Sequence, residues 1–189
     1  VVEARTGEIM FGLNLVVYKG KTIFVGDTSV HEYPNAEQLS EIAISSARVV
    51  RLFGFDPKVA FVSHSTFGQP LTSRTKHIKD AVEILKKKNV NFEFDGDMQP
   101  DVALNDEYKS LYPFSKIVGN ANILIMPGQH SAAISYKMMK TLGDTKVIGP
   151  LLIGLGLPIE IAPLRSSTSE ILNLASIAAY SADVINYEK

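Results

Sequence analysis

The sequence predicts an α/β fold, a layered and mostly parallel sheet flanked by helices, with a β-hairpin at its N-terminal end. Three observations predict it. Short β-branched and aromatic runs alternate with longer segments of helical apolar spacing from residue 35 onward. The first two runs are joined by a tight glycine turn. No Pro/Gly/Ser-rich linker divides the chain clearly, and successive strand–helix–strand units close by right-handed crossovers that make the pairing mostly parallel.

The elements follow in order. Residues 13–18 and 22–25 are apolar runs joined by Lys19-Gly20-Lys21, a hairpin. Asn35 with Gln38 three residues on is a capping-box start, and Leu39, Ile42, Ala43, Val49, Val50 and Phe53 fall on one helical face. Gly54 and then Pro57 end that helix. Residues 58–62 form a strand, and Ile78, Ala81, Val82 and Leu85 give the inner face of the next helix. Its end carries Lys86, Lys87 and Lys88, cations that complement the negative end of a helix dipole. Strands are then predicted at 91–94, 122–126 and 146–148, with a helix at 131–142 between the last two. Ser167 with Glu170 forms a second capping box, and Ile171, Leu174, Ala175 and Ala178 follow it as the last helix. Any seam between lobes is expected at 149–158, where glycine and proline crowd together.

With 189 residues, 46% of them hydrophobic, the chain has apolar material for a sizeable core. A formal charge of −1 with interspersed signs excludes the broad positive field that nucleic acid or an anionic membrane would need. The absence of cysteine excludes disulfides, thiolate metal sites and thiol nucleophiles, and fits a reducing cytoplasm. No stretch approaches a membrane span, and the start at Val1 has no secretory pattern. Because that start is not methionine, a piece of a longer polypeptide is expected.

In an open parallel sheet, ligands bind beyond the carboxyl ends of the strands. Four loops there carry chemistry. Ser63-His64-Ser65-Thr66-Phe67-Gly68 gathers hydroxyls and backbone amides that suit a phosphate or carboxylate, or form an ordinary loop. Asp95-Gly96-Asp97-Met98-Gln99-Pro100-Asp101 has three carboxylates but lacks the closing acid of a calcium loop, which leaves a capping turn or a substrate-facing loop. Pro127-Gly128-Gln129-His130-Ser131 leads from strand to helix and puts His130, a candidate proton shuttle or a simple cap, at the mouth of the cleft. In Ala162-Pro163-Leu164-Arg165, Arg165 is a candidate partner for an anion or a plain surface residue. His31, His64, His77 and His130 have no metal-binding spacing, and neither a P-loop nor a dinucleotide glycine fingerprint is present.

Taken in order, these loops resemble the phosphate acetyl/butyryl transferase family. Its SxSTxGS, DGExQxDAAL and GPxLxGLxxP segments correspond to 63–68, 95–104 and 149–158. Its FPDLNAGNIGYK segment corresponds to Met126-Pro127-Gly128-Gln129-His130-Ser131-Ala132-Ala133-Ile134-Ser135-Tyr136-Lys137. The stretch Phe24-Val25-Gly26-Asp27-Thr28-Ser29-Val30-His31, with Pro34, is most similar to the version of this domain fused to bacterial malic enzymes. The resemblance implies an isocitrate/isopropylmalate dehydrogenase-like fold, as in phosphotransacetylases. It divides the chain into residues 1–34 (hairpin and leading segment), 35–160 (the α/β lobe) and 161–189 (a closing helix of this or another lobe). It implies ligand contacts at Ser63, His64, Ser65, Thr66, Gly68, Asp95, Gln129, His130, Ser131 and Arg165, and no metal.

Departures from the family pattern imply that catalysis is lost. The serine and arginine of the family's LSRG turn fall on Pro163 and Leu164, which cannot stabilise a transferring phosphate. If the chain is active, Arg165, Glu170 and His130 are the catalytic candidates. The reading that follows is a non-catalytic, acetyl-CoA-sensing and oligomerising domain of a malic enzyme, with NAD(P) and a divalent metal confined to catalytic domains outside this chain. An active phosphate acyltransferase and a purely structural module are the alternatives. The closing helix is expected to pack on a second copy or to present a large apolar patch.

Overall fold

Lys19 and Gly20 both adopt positive φ (46° and 75°), the geometry that lets a two-residue turn follow strand twist, and β1 (Phe11–Tyr18) and β2 (Lys21–Gly26) pair antiparallel around it. The computed structural model describes residues 2–68 and 72–187. After the hairpin come α1 (Ala36–Leu52), β3 (Lys58–Val62), α2 (Ser73–Lys88) and β4 (Glu93–Met98). The short helices α3 (Pro100–Leu104) and α4 (Asp106–Lys109) lead to β5 (Ile123–Ile125) and α5 (Gln129–Leu142). Then β6 (Thr145–Ile153), β7 (Ile159–Glu160) and α6 (Thr168–Tyr187) complete the described chain.

The strands form one seven-stranded sheet in the order β4-β3-β5-β2-β1-β6-β7. Pairing is parallel from β4 through β2 and antiparallel from β1 outward. The hairpin is therefore the middle of the sheet and not a segment ahead of it. Side chains alternate between two cores, as the period of a strand requires. Phe24, Val59, Phe61, Ile123 and Ile125 face α1, α2 and α6, while Val25, Ala60, Val62 and Leu124 face α3 and α5. Each large side chain buried in this way stabilises the fold by about 1.5–3 kcal/mol before entropy is counted.

Both capping boxes form. Asn35 Oδ1 accepts from Gln38 N–H at 2.8 Å and Gln38 Oε1 accepts from Asn35 N–H at 2.9 Å. At α6, Ser167 Oγ accepts from Glu170 N–H at 3.3 Å and Glu170 Oε2 accepts from Ser167 N–H at 2.7 Å. Lys86, Lys87 and Lys88 are the last turn of α2, where Lys88 pairs with Glu41.

Two elements differ from expectation. The strand predicted at 91–94 is β4, displaced to Glu93–Met98, so Asp95-Gly96-Asp97 is strand and not loop. Polarity hid it from a hydrophobic reading. Gly96 lies opposite Phe61 so closely that a Cβ would sit 2.7 Å from the Phe61 Cβ, and the flanking carboxylates are taken up by the Gly96 and Lys116 amides at Asp95 and by the Ser65 hydroxyl at Asp97. The strand predicted at 146–148 extends to Ile153 because β1 pairs along its length, and it runs on into the proposed seam.

Helix α6 buries Leu174 and half-buries Ile177 against the sheet, but Ile171, Leu172 and Tyr180 are exposed. Beneath it, Val49, Phe53, Leu155, Pro158 and Ile177 line a small cavity that also takes in Glu160. Glu160 Oε2 is buried without a hydrogen-bond partner among the described residues. Burial pushes this carboxyl up from 4.5 to about 8. The folded state thus holds the proton more tightly than the unfolded chain. The stability contributed by the neutral carboxyl is fully present below 4.5 and lost as pH rises through about 8. Because water still reaches and screens part of the side chain, the loss is on the order of 1–2 kcal/mol. Glu160→Gln should raise the melting temperature by roughly 2–8 °C at alkaline pH and leave it nearly unchanged in acid. Identical pH profiles for the two proteins in thermal unfolding would contradict this burial.

Candidate functional site

The parallel strands β2, β3, β4 and β5 deliver their carboxyl ends to one edge of the sheet, and the loops beyond them enclose a cleft of ≈ 760 Å³. The loop after β2 is set by Asp27, which is fully buried. Its Oδ1 accepts from the N–H groups of Gly12 (2.9 Å), Ser29 (2.8 Å) and Val30 (3.1 Å). Its Oδ2 accepts from His31 N–H at 2.7 Å and lies 2.7 Å from His31 Nδ1. The carboxylate thereby ties β1 to the start of the loop that carries Glu32, Tyr33 and Pro34 along the cleft wall. Beside it, Thr28 Oγ1 donates to the buried Asn14 Oδ1 at 2.5 Å.

The loop after β3 is fastened to the end of β4. Ser63 N–H donates to Met98 O, Phe67 N–H to Asp97 O, and Gln99 Nε2 to His64 O at 2.8 Å. Ser65 Oγ donates to the buried Asp97 Oδ2 and lies 3.2 Å from Ser63 Oγ. A row of hydroxyls therefore leads from Ser63 in the cleft to a carboxylate behind it. Gln99 N–H donates to Thr66 Oγ1 at 3.2 Å.

The third wall is the start of α5. Gly128 packs so tightly on the first loop that a Cβ would lie 2.2 Å from Glu32 O, and Gln129 N–H donates to His31 O at 2.9 Å. Gly128 supplies no side-chain cap, and the amides of His130 and Ser131 have no intrahelical acceptor, so the positive end of this helix opens on the cleft.

Of the residues singled out from the sequence, Ser63, His64, His130 and Ser131 line the cleft. Ser65 and Thr66 are buried behind it. Gly68 lies on the far side of the β3 loop, near Lys79, and Gln129 contributes its backbone to the wall. Asp95 sits outside the cleft, where it accepts from Lys116 N–H at 2.8 Å and Gly96 N–H at 3.0 Å. Arg165 is exposed and lines no cavity among the described residues, and Leu164 beside it is fully exposed. Glu170 is engaged by the α6 capping box and by Lys140 Nζ at 2.9 Å. The Ser167 backbone donor, then the Lys140 and Ser167 side chains, hold its carboxyl down to about 2. Glu170 therefore stays ionised and fixed at a helix start, away from the cleft.

The ligand contacts drawn from the sequence did not include Asp27 or His77, and they included Asp97 only as part of the 95–101 loop. The position of Asp27 immediately after a strand was the available signal. His77 had none, since only the packing of α2 brings it to the cleft. Among the described residues no Lys or Arg lines the cleft, and the charged or titratable side chains there are Glu32, Tyr33, His64, His77 and His130, with His130 Nε2 3.6 Å from Glu32 Oε1. Among the described residues no group of three or more His, Asp or Glu is placed to hold a metal ion, and no helix is long and apolar enough to cross a membrane.

The profile of the phosphate acetyl/butaryl transferase family matches residues 1–179. An NADP-dependent malic enzyme of Rhizobium meliloti is 42% identical over 96% of this chain, which corresponds to 24% of that protein. A phosphate acetyltransferase of Bacillus subtilis is 32% identical over 87% of this chain and 51% of its own length. A phosphotransacetylase from Streptococcus pyogenes superposes with a TM-score of 0.90 at 31% identity, covering 96% of this chain and 56% of that one. The chain thus spans about a quarter of the malic enzyme and about half of the transacetylases.

Replacing Asp27 by alanine would strip four backbone amides of their acceptor in a buried site. Each such loss costs about 1–3 kcal/mol when water cannot enter. Asp27→Ala should therefore lower stability by at least roughly 3 kcal/mol in urea unfolding. A loss below about 1 kcal/mol would mean that the carboxylate does not hold the loop.

Proposed function

The chain belongs to the phosphate acetyl/butaryl transferase family, and from that premise we propose that it is the non-catalytic, acetyl-CoA-sensing and oligomerising domain of an NAD(P)-dependent malic enzyme. In this reading the parent enzyme converts malate to pyruvate and CO₂ in the cytoplasm. Its NAD(P) and divalent metal are held by other domains.

One observation supports the proposal: a cleft is present, and among the described residues none of its lining side chains is Lys or Arg. Acyl transfer to phosphate gathers negative charge on the phosphate oxygens, and fixed donors aimed at that charge supply much of the rate. Here the turn that holds such donors in the family reads Pro163-Leu164, exposed to solvent and outside the cleft. Two missing donors, each worth two to three orders of magnitude, lower turnover by about 10⁴-fold or more. Binding needs less. A cleft of ≈ 760 Å³ lies within the range of small-molecule sites, and the Ser63–His64 loop with the α5 N-terminus offers hydroxyls and amides to an anion. A ligand that prefers one of two states of the parent enzyme by tenfold shifts their balance by about 1.4 kcal/mol without any chemistry in this domain. The exposed Ile171, Leu172 and Tyr180 of α6 support assembly, since apolar patches of this kind mark interfaces.

An active phosphate acyltransferase is the second reading, and it rests on Arg165, an exposed guanidinium one residue beyond the altered turn. The two readings separate in one preparation. Supplied with acetyl phosphate and CoA, the protein should form no acetyl-CoA above background, while calorimetry should detect acetyl-CoA binding. Turnover that vanishes in Arg165→Ala establishes the transferase. Neither turnover nor binding leaves a structural module.

A further inference from the structure

Ser63 lines the cleft just beyond the end of β3, and the hydrogen bonds behind it fix what its hydroxyl can offer. Ser65 Oγ donates to Asp97 Oδ2, Ser63 Oγ lies 3.2 Å from Ser65 Oγ, and Ser65 N–H donates to Ser63 Oγ at 3.3 Å. All three residues are buried, Asp97 completely. The sheet brings them together: Phe61 pairs with Gly96 and Val62 with Met98, so the register skips Asp97 and its carboxylate meets the start of the β3 loop.

The direction of each hydrogen follows from what each group can give. A carboxylate has lone pairs and no hydrogen, whereas a serine hydroxyl has one hydrogen and two lone pairs. Asp97 Oδ1 has no partner among the described residues, so the Ser65 hydroxyl is the donor that this buried side chain depends on. Turning the Ser65 hydrogen toward Ser63 would leave a buried charge without a donor, which costs far more than a neutral bond between two hydroxyls returns. That hydrogen therefore stays on Asp97. The 3.2 Å contact between the serines then uses the hydrogen of Ser63. Since the Ser65 amide takes one lone pair of Ser63, the second lone pair is what this hydroxyl presents to the cleft.

We propose that Ser63 is a hydrogen-bond acceptor that selects a donor group of the ligand, a hydroxyl or an amide N–H, and that Asp97 is the positioning residue that sets this polarity through Ser65. The inference rests on the acyl-CoA reading given above and deepens it, because it separates the contacts of two cleft walls. The amides at the start of α5 suit an anion, but the lone pair of Ser63 opposes one. A ligand that satisfies both walls carries an anionic group and, apart from it, a neutral donor. An acyl-CoA has both, in its phosphates and in the amides of its pantetheine arm. Of the groups on the Ser63–His64 loop, the Ser63 hydroxyl is thus the one that does not serve the anion.

Neutron diffraction from deuterium-exchanged crystals of the full chain reads this polarity directly, which a carboxylate with a purely structural role would not fix. Expected are the Ser65 deuteron on the line to Asp97 and the Ser63 deuteron on the line to Ser65. A Ser63 deuteron pointing into the cleft overturns the inference. Calorimetry reads the consequence: Ser63→Ala should weaken acetyl-CoA binding about three- to tenfold, the loss of one neutral hydrogen bond, and should leave sulfate, which can only accept, bound no more weakly than before. Equal weakening of both ligands, or of neither, overturns the inference and leaves the acyl-CoA reading intact. Failure of the unaltered protein to bind acetyl-CoA overturns that reading alone, because the deuteron positions decide the polarity of Ser63 without a ligand.

Discussion

A single buried carboxylate organises the cleft end of this protein. Asp27 ends the turn out of β2, receives four backbone amides and the His31 ring, and so links β1 to the loop that runs along the cleft. His31 then passes that position on, because its carbonyl accepts the Gln129 amide and Glu32 O abuts Gly128. The start of α5, with His130 and Ser131, is thus placed by a chain of contacts that begins fifteen residues away from Asp27 in β1, at Gly12. A buried charge without such donors would be costly; with them it rigidifies the loop.

The sheet divides the work by strand direction. Its parallel half, β4-β3-β5-β2, sends every carboxyl end to one edge and so creates the concavity, as open α/β sheets do. Its antiparallel half, β1-β6-β7, contributes no loop to the cleft lining and instead supports α6. That support is thin. Leu174 is buried there, but Ile171, Leu172 and Tyr180 remain in contact with solvent, and Glu160 sits in the cavity beneath without a donor. Buried polar atoms without a partner occur at both ends, with Asn14 Nδ2 and Asp97 Oδ1 behind the cleft and Glu160 Oε2 under α6.

Among the described residues the cleft is lined by hydroxyl, amide and imidazole groups, and the candidate charged groups of the last helix lie elsewhere. Glu170, whose side chain is locked to Ser167 and Lys140, serves the start of α6 and the contact between α5 and α6. Arg165 stands in solvent.

The sequence by itself determined the types of the longer elements, both capping boxes, the hairpin turn and the order of the loops that face the cleft, but not the short helices α3 and α4. These depend on interactions within about four residues, such as Asn35 with Gln38 or Ser167 with Glu170, or on the period of apolar residues. It misplaced β4, because Asp95 and Asp97 look solvent-facing until Lys116 and Ser65 are brought to them from 21 and 32 residues away. The position of the hairpin in the middle of the sheet, the role of Asp27 and the arrival of His77 beside His64 and His130 were likewise decided by tertiary structure alone. Each depends on which strand pairs with which and on how α2 packs, and such long-range contacts leave no local pattern along the chain.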